Sequence, residues 1–155
     1  MKRVVVTGMG VVSAVGNNFD DFWASIAAGT NGIDDITRFD TTDFRTKMGG
    51  EVRGFEAESY MDKKDAKRLP LFIQFALASA MMAHKDSGLN LELIDPYRIG
   101  VGVGSGIGGI CVMEENARLL MEKGPKRVSP FFVPFEIINM ASGRISMRLG
   151  AKGPN

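Results

Sequence analysis

The residues of this chain with the types and spacing for chemistry fall in a few places. Gly104-Ser-Gly106-Ile-Gly108-Gly109 satisfies G-x-G-x-x-G between an expected strand and an expected helix, the setting in which backbone N–H groups cradle a pyrophosphate. The helix after it, however, leads into Ser129-Pro-Phe-Phe-Val-Pro134 and not into a second strand ending in an acid for a ribose. Gly8-Met-Gly10 has Ser13 where a third glycine would stand, and no G-x-x-x-x-G-K-[ST] occurs. A nucleotide-binding module is therefore the weaker rival. Cys111 is the single cysteine, which excludes an intrachain disulfide framework and a multi-cysteine metal site, and a lone thiol behaves as a small hydrophobe more often than as a nucleophile. His84 is the single histidine and has no second histidine or thiol close in sequence to make a metal site or a Cys-His pair. Glu114 and Glu115 point to different faces of one helix, with Glu114 spaced to pair Arg118, and read as a solvated surface. The run Asp62-Lys-Lys-Asp-Ala-Lys-Arg68 puts Lys64, Lys67 and Arg68 on one helical face, and Lys126-Arg127 adds a second basic pair. On charge alone both are ordinary surface.

The elements that must position these residues follow from periodicity and punctuation. Arg3 to Thr7 is a β-branched run bounded by Gly8 and predicts a strand buried on both faces; Arg98 to Val103 predicts a second. Asn17 or Asn18 caps a helix with Asp20 and Asp21 in its first turn and Gly29 at its end, and Phe19, Phe22, Trp23 and Ile26 form one stripe expected to be buried. Residues 30 to 54 read as loop. A short charged helix is expected over Glu56 to Arg68. An apolar helix follows over Leu71 to Ser87, closed by Gly88, with Met81 and Met82 as core filler. A helix over Cys111 to Lys123 ends at Gly124-Pro125, and a last one runs from Pro134 to Leu149, where Gly143 implies a close backbone contact worth its cost of about 1 kcal/mol. Strand, helices, strand, helices predicts an α/β fold with a mostly parallel sheet between helical layers, narrower than such sheets usually are.

With 155 residues, 45% hydrophobic and 24% charged, the chain has one domain's worth of core. A net charge near +1 excludes a general polyanion binder, so no nucleic-acid partner is expected and basic recognition must be local. No apolar run reaches membrane-spanning length, and Met1-Lys-Arg-Val-Val-Val-Thr-Gly8 shows neither a signal-peptide apolar region nor a cleavage site. The expectation is a cytoplasmic protein with no membrane partner.

Four ordered stretches together resemble one family. Val4-Val-Val-Thr-Gly-Met-Gly-Val-Val-Ser-Ala-Val-Gly16 is similar to the opening of the β-ketoacyl synthases, and Arg98-Ile-Gly-Val-Gly-Val-Gly-Ser-Gly-Ile-Gly-Gly109 to their second strand and the loop beside the acyl pocket. Ser129-Pro-Phe-Phe-Val-Pro134 and Gly150-Ala-Lys-Gly-Pro-Asn155 resemble the segments before the nucleophile. The spelling of the glycine loop with Phe-Phe-Val-Pro is most similar to the type II synthases of bacterial fatty-acid synthesis.

The resemblance implies a thiolase-like fold in αβαβα layers, of which residues 1–155 are the N-terminal part of the first half, and a homodimer. It implies transfer of an acyl chain from acyl carrier protein to a cysteine thiol at a helix N-terminus, then attack on that thioester by the carbanion left when malonyl carrier protein loses carbon dioxide. That nucleophile is expected several residues after Gly-Pro-Asn155, and two histidines that favour decarboxylation in the second half; Cys111 and His84 match none of them. No catalytic residue, metal or cofactor is thus expected in these residues, which alone are expected to be inactive. Site roles do carry over: Ile107 matches the gate of the acyl tunnel with Gly106 beside it, and Phe132 an aromatic lining the pocket across the dimer interface. Lys64, Lys67 and Arg68 match the basic patch that meets the acidic carrier protein, which makes docking the better reading of that cluster, with Lys126 and Arg127 as its second part. The rival of another class is a non-catalytic interaction module that pairs with a synthase or binds carrier protein.

Overall fold

Asn18 opens the first helix: its side-chain oxygen accepts from the Asp21 N–H, and α1 (Phe19–Ala27) runs on until Gly29 takes a φ of 68°. Asp62 repeats the device for α2 (Lys63–Arg68), accepting from the N–H groups of Lys64 and Asp65. That cap needs non-helical backbone at Asp62, so the single charged helix expected from Glu56 becomes a 3₁₀ turn, Ala57–Ser59, followed by α2. The Pro70 carbonyl then accepts from Ile73 and Gln74 at the start of α3 (Leu71–Ser87), and Gly88 closes it at φ 61°. Next comes α4 (Ile110–Lys123), ending at Gly124. The last expected helix divides into α5 (Phe132–Glu136) and α6 (Met140–Leu149), because Ile137 is extended. Pro134 lies in the first turn of α5, where a missing N–H breaks no helical hydrogen bond.

The computed structural model describes residues 3–155, which fall into two compact units. One takes the described residues up to Tyr60 together with Ala78–Gly88. It holds a two-stranded antiparallel ladder, β1 (Asp34–Asp35) with β2 (Met48–Gly49), in which Asp34 faces Gly49 and Asp35 faces Met48. Here Gly8 and Gly10 lie against the second half of α3. A Cβ on Gly8 would strike the Ala83 carbonyl oxygen and one on Gly10 that of Ser79. The Met9 N–H donates to Asp86 Oδ2 at 2.9 Å. The stripe on α1 departs from expectation, since Phe19, Trp23 and Ile26 are 39%, 59% and 50% exposed.

The other unit takes Met61–Leu77 and Leu89–Asn155. Its core is Met61, Leu69, Ile73 and Leu77 with Ala141 and Ile145 of α6. Gly143 has open space about it, with only the Met140 sulfur at 4.0 Å from an added Cβ, so the close contact read from its helical position is not there. Arg118 pairs Glu122 at 3.2 Å and not Glu114.

No parallel sheet forms on the two expected strands among the described residues. Among the described residues neither Arg3–Thr7 nor Arg98–Val103 is part of a ladder, and Pro96–Arg98 is a 3₁₀ turn. A central parallel strand needs neighbours on both edges and cover on both faces, and Val4, Val5 and Val6 have neither, at 93%, 56% and 80% exposed. Ile99–Val101 goes part of the way. Its carbonyl at Ile99 accepts from Gly153, and Val101 donates to Pro154, so the two segments run in the same direction. No helix among the described residues is long and apolar enough to cross a membrane.

Candidate functional site

The basic cluster gains its character from where its acids go. Asp62 is spent on the cap of α2, and Asp65 turns toward Arg144 of α6 at 4.0 Å. Among the described residues Lys64, Lys67 and Arg68 form no ion pair and are exposed, as are Lys126 and Arg127 on the 3₁₀ turn Pro125–Arg127. A six-residue helix does not stand alone. Gln74, buried in α3, donates to the carbonyls of Ala66 and Leu69 at 3.1 and 2.6 Å and fixes the C-terminal end of α2. The result is a held helix that presents cations without counter-ions.

Arg68 differs from its neighbours. Its guanidinium carbon lies 4.3 Å from the centroid of the Phe131 ring, and that ring stacks on Phe135 at 5.5 Å and 19°. The connector carrying both rings is pinned at its start by Asn116, buried in α4, whose side-chain oxygen accepts from the Ser129 N–H at 2.9 Å while its amide donates to the Val112 carbonyl. The same connector backs the glycine loop. The Gly109 N–H donates to the Glu136 carbonyl at 2.9 Å, and a Cβ on Gly109 would collide with the Phe135 carbonyl oxygen. Gly108, at φ 72°, presses on Glu136 and Ile138 and takes a bond from its N–H to Ser105 Oγ. Left-handed backbone and close approach together leave no room for a side chain at 108.

Ile107 projects from this seated loop and is 66% exposed, with open space around Gly106. A cavity of about 510 Å³ in this unit is lined by Arg68, Phe72, Gly109, Cys111, Asn116 and Phe135 among others. Gly106, Ile107 and Phe132 are not on its lining; Phe132 is half-buried at the start of α5. The structure thus joins Arg68 to the connector and the connector to the Gly108–Gly109 loop, and brings neither Lys126 and Arg127 nor Phe132 into that contact chain. Sequence reasoning missed Phe131, Phe135, Gln74 and Asn116. The first two stand at i, i+4, and Gln74 is a polar residue within an apolar helical stretch, which are the signals that could have found them; Asn116, next to Glu114 and Glu115, carries no such signal.

No group of three or more histidine, cysteine or acidic side chains gathers among the described residues. Cys111 is exposed on the cavity wall. In the first unit three carboxyls are held below the usual range, Asp34 first by the Asp35 N–H and then by Arg53, Asp40 by the Thr42 hydroxyl, and Glu51 by the Thr37 hydroxyl. They stay ionised, and none is a raised acid suited to proton donation.

A family model described as the N-terminal domain of β-ketoacyl synthase matches residues 1–155. The chain is 50% identical over 154 residues to the 3-oxoacyl-[acyl-carrier-protein] synthase 2 of Vibrio cholerae and 49% identical to the protein of that name in Staphylococcus aureus. Each match covers 99% of this chain and 37% of the relative, so the chain spans 37% of the length of these curated relatives. Among solved structures, a β-ketoacyl synthase from Burkholderia phymatum superimposes with a TM-score of 0.80 at 25% identity, over 99% of this chain and 38% of that one.

Proposed function

The chain belongs to the β-ketoacyl synthase family, and from that premise we propose that the whole protein is a 3-oxoacyl-[acyl-carrier-protein] synthase that elongates acyl chains in fatty-acid synthesis. In this reading a cysteine outside residues 1–155 takes the acyl group from carrier protein as a thioester. Malonyl carrier protein then loses carbon dioxide, and its carbanion attacks the thioester carbonyl, expelling the thiolate and leaving the chain two carbons longer. The observation that carries the reading is the collinear identity over 154 residues with relatives named for this activity.

What residues 1–155 contribute is positioning. Lys64, Lys67 and Arg68, with Lys126 and Arg127, form the landing surface for the acidic carrier, supported by their exposure and by the lack of an ion pair at any of them among the described residues. Ile107 gates the acyl tunnel beside Gly106, supported by its exposure on a loop whose base is fixed, and Phe132 lines the pocket at a dimer interface. Residues 1–155 are the N-terminal part of the first thiolase-like half, in which Arg3–Thr7 and Arg98–Val103 complete a parallel sheet once neighbouring strands lie beside them. Location in the cytoplasm and assembly as a homodimer belong to the same reading.

The test is to incubate the purified whole protein with acyl carrier protein thioester and malonyl carrier protein, follow 3-oxoacyl product, and map the acylated residue by mass. Product with an adduct outside residues 1–155 is expected. Carrier binding without product would favour a non-catalytic module, and a stoichiometric adduct on Cys111 would overturn the proposed division of labour.

A further inference from the structure

We propose that Arg68 is a positioning residue for the acyl-pocket loop as well as a docking cation: laid on the Phe131 ring, it holds the Phe131–Glu136 segment against Gly108–Gly109 and so sets the posture of Ile107. The inference rests on the docking and gating reading above and adds a residue that links the two. Each step is a contact. The guanidinium covers Phe131 at 4.3 Å, and Phe131 stacks on Phe135. The carbonyls of Phe135 and Glu136 form the floor under the loop, Glu136 through the 2.9 Å bond from Gly109. Gly109 is buried, whereas Ile107 is two-thirds exposed, so the loop is fixed at its base and free at its tip. Arg68 itself is fixed from behind, since Gln74 clamps the last turn of α2 through Ala66 and Leu69. Lys64 and Lys67, on the same short helix, lie over no aromatic ring among the described residues, which separates the role of Arg68 from theirs.

A planar guanidinium and an ammonium differ here in kind. Both provide a positive charge for an acidic carrier, but only the flat group lies face to face on a ring with the same area of contact. Arg68→Lys in the whole protein therefore keeps the docking charge and loosens the stack. The readout is acylation by short and long acyl thioesters of a small thiol, with no carrier protein present, taken as the ratio of long-chain to short-chain rate constants. Arg68→Lys is expected to change that ratio by about two- to fivefold, the range of an exposed cation–ring contact. Phe131→Leu should change it in the same direction, the double variant should add little to either single one, and Phe131→Tyr, which keeps a ring, should restore the wild-type ratio. A ratio unmoved in both Arg68→Lys and Phe131→Leu, in protein of unchanged melting temperature, overturns the proposal and leaves Arg68 a docking cation only. Failure of the docking reading is separate: it would show as a wild-type protein using carrier-bound and carrier-free thioesters equally well, a comparison the carrier-free ratio does not involve.

Discussion

At the residue scale the sharpest claim concerns Ile107. If its side chain closes the tunnel and swings aside for a long acyl chain, its bulk sets how many methylenes enter, and each buried methylene is worth about 0.8 kcal/mol, or roughly fourfold in affinity. Ile107→Phe in the whole protein is expected to block acylation by long chains and spare the shortest primers, because overfilling a packed tunnel costs about 1–3 kcal/mol. Rates for a short and a long carrier thioester, measured beside the melting temperature, check it. A uniform loss at all lengths with a lowered melting temperature would make Ile107 an ordinary apolar residue. Its exposure agrees with a movable tip, and the flanking Gly108 supplies the left-handed backbone that the turn beneath it requires. The gating role of this position comes from the resemblance to the synthases; the glycine pattern alone marks only a loop. Arg68 was legible as a charge but not as a ring partner, since the contact joins positions 63 residues apart in sequence (68 to 131) that no local pattern links.

Elements were read best where their ends carry their own chemistry. Asn18, Gly88 and Gly124 delimit helices as their types dictate. The helix expected from Pro134 failed because proline at a first turn marks a start only to within a turn, and Ile137–Asn139 gives no sequence sign that it will interrupt the run. The two strands read from β-branched runs lack ladder partners here, since strand formation is decided by neighbours and not by the run itself. Gln74→Leu fills the same buried space but leaves the Ala66 and Leu69 carbonyls without their donor, at a cost of about 1–3 kcal/mol. The expected outcome is a melting temperature lower by roughly 2–10 °C and faster amide exchange at the last turn of α2. Unchanged exchange there would show that α2 is held by its cap and by Leu69 alone.

Residues 1–155 together carry a net charge of +1, so any attraction they exert on an acidic partner must come from local arrangement, not from their total charge. Reversing Lys64 and Lys67 to Glu in the whole protein should raise KM for carrier-protein substrates and flatten its dependence on salt, because exposed charges act mainly on encounter and are screened over about 8–10 Å. Small thioesters should be used as before. Equal loss on both kinds of substrate would make the cluster structural. Trp23, Leu93 and Met121 are among the large apolar side chains left exposed.

The contact of Gly8 and Gly10 with the carbonyls of α3 has a consequence in genetics. Every single-nucleotide missense change of a glycine codon yields alanine, serine, cysteine, valine, arginine, tryptophan or an acid, and all of them bring a Cβ into a place already occupied by the Ala83 or Ser79 oxygen. Apart from the synonymous third-position changes neither codon has a harmless neighbour, so drift cannot change the residue at these sites one step at a time. Backbone cannot give way as a flexible side chain would. In a saturation library selected for growth on the activity of the whole protein, codons 8 and 10 should return glycine almost alone. Codon 54, where φ is 66° and the surrounding space is open, should also return asparagine. Recovery of alanine at codon 10 at wild-type frequency would mean that the segment and α3 separate more readily than their contact implies.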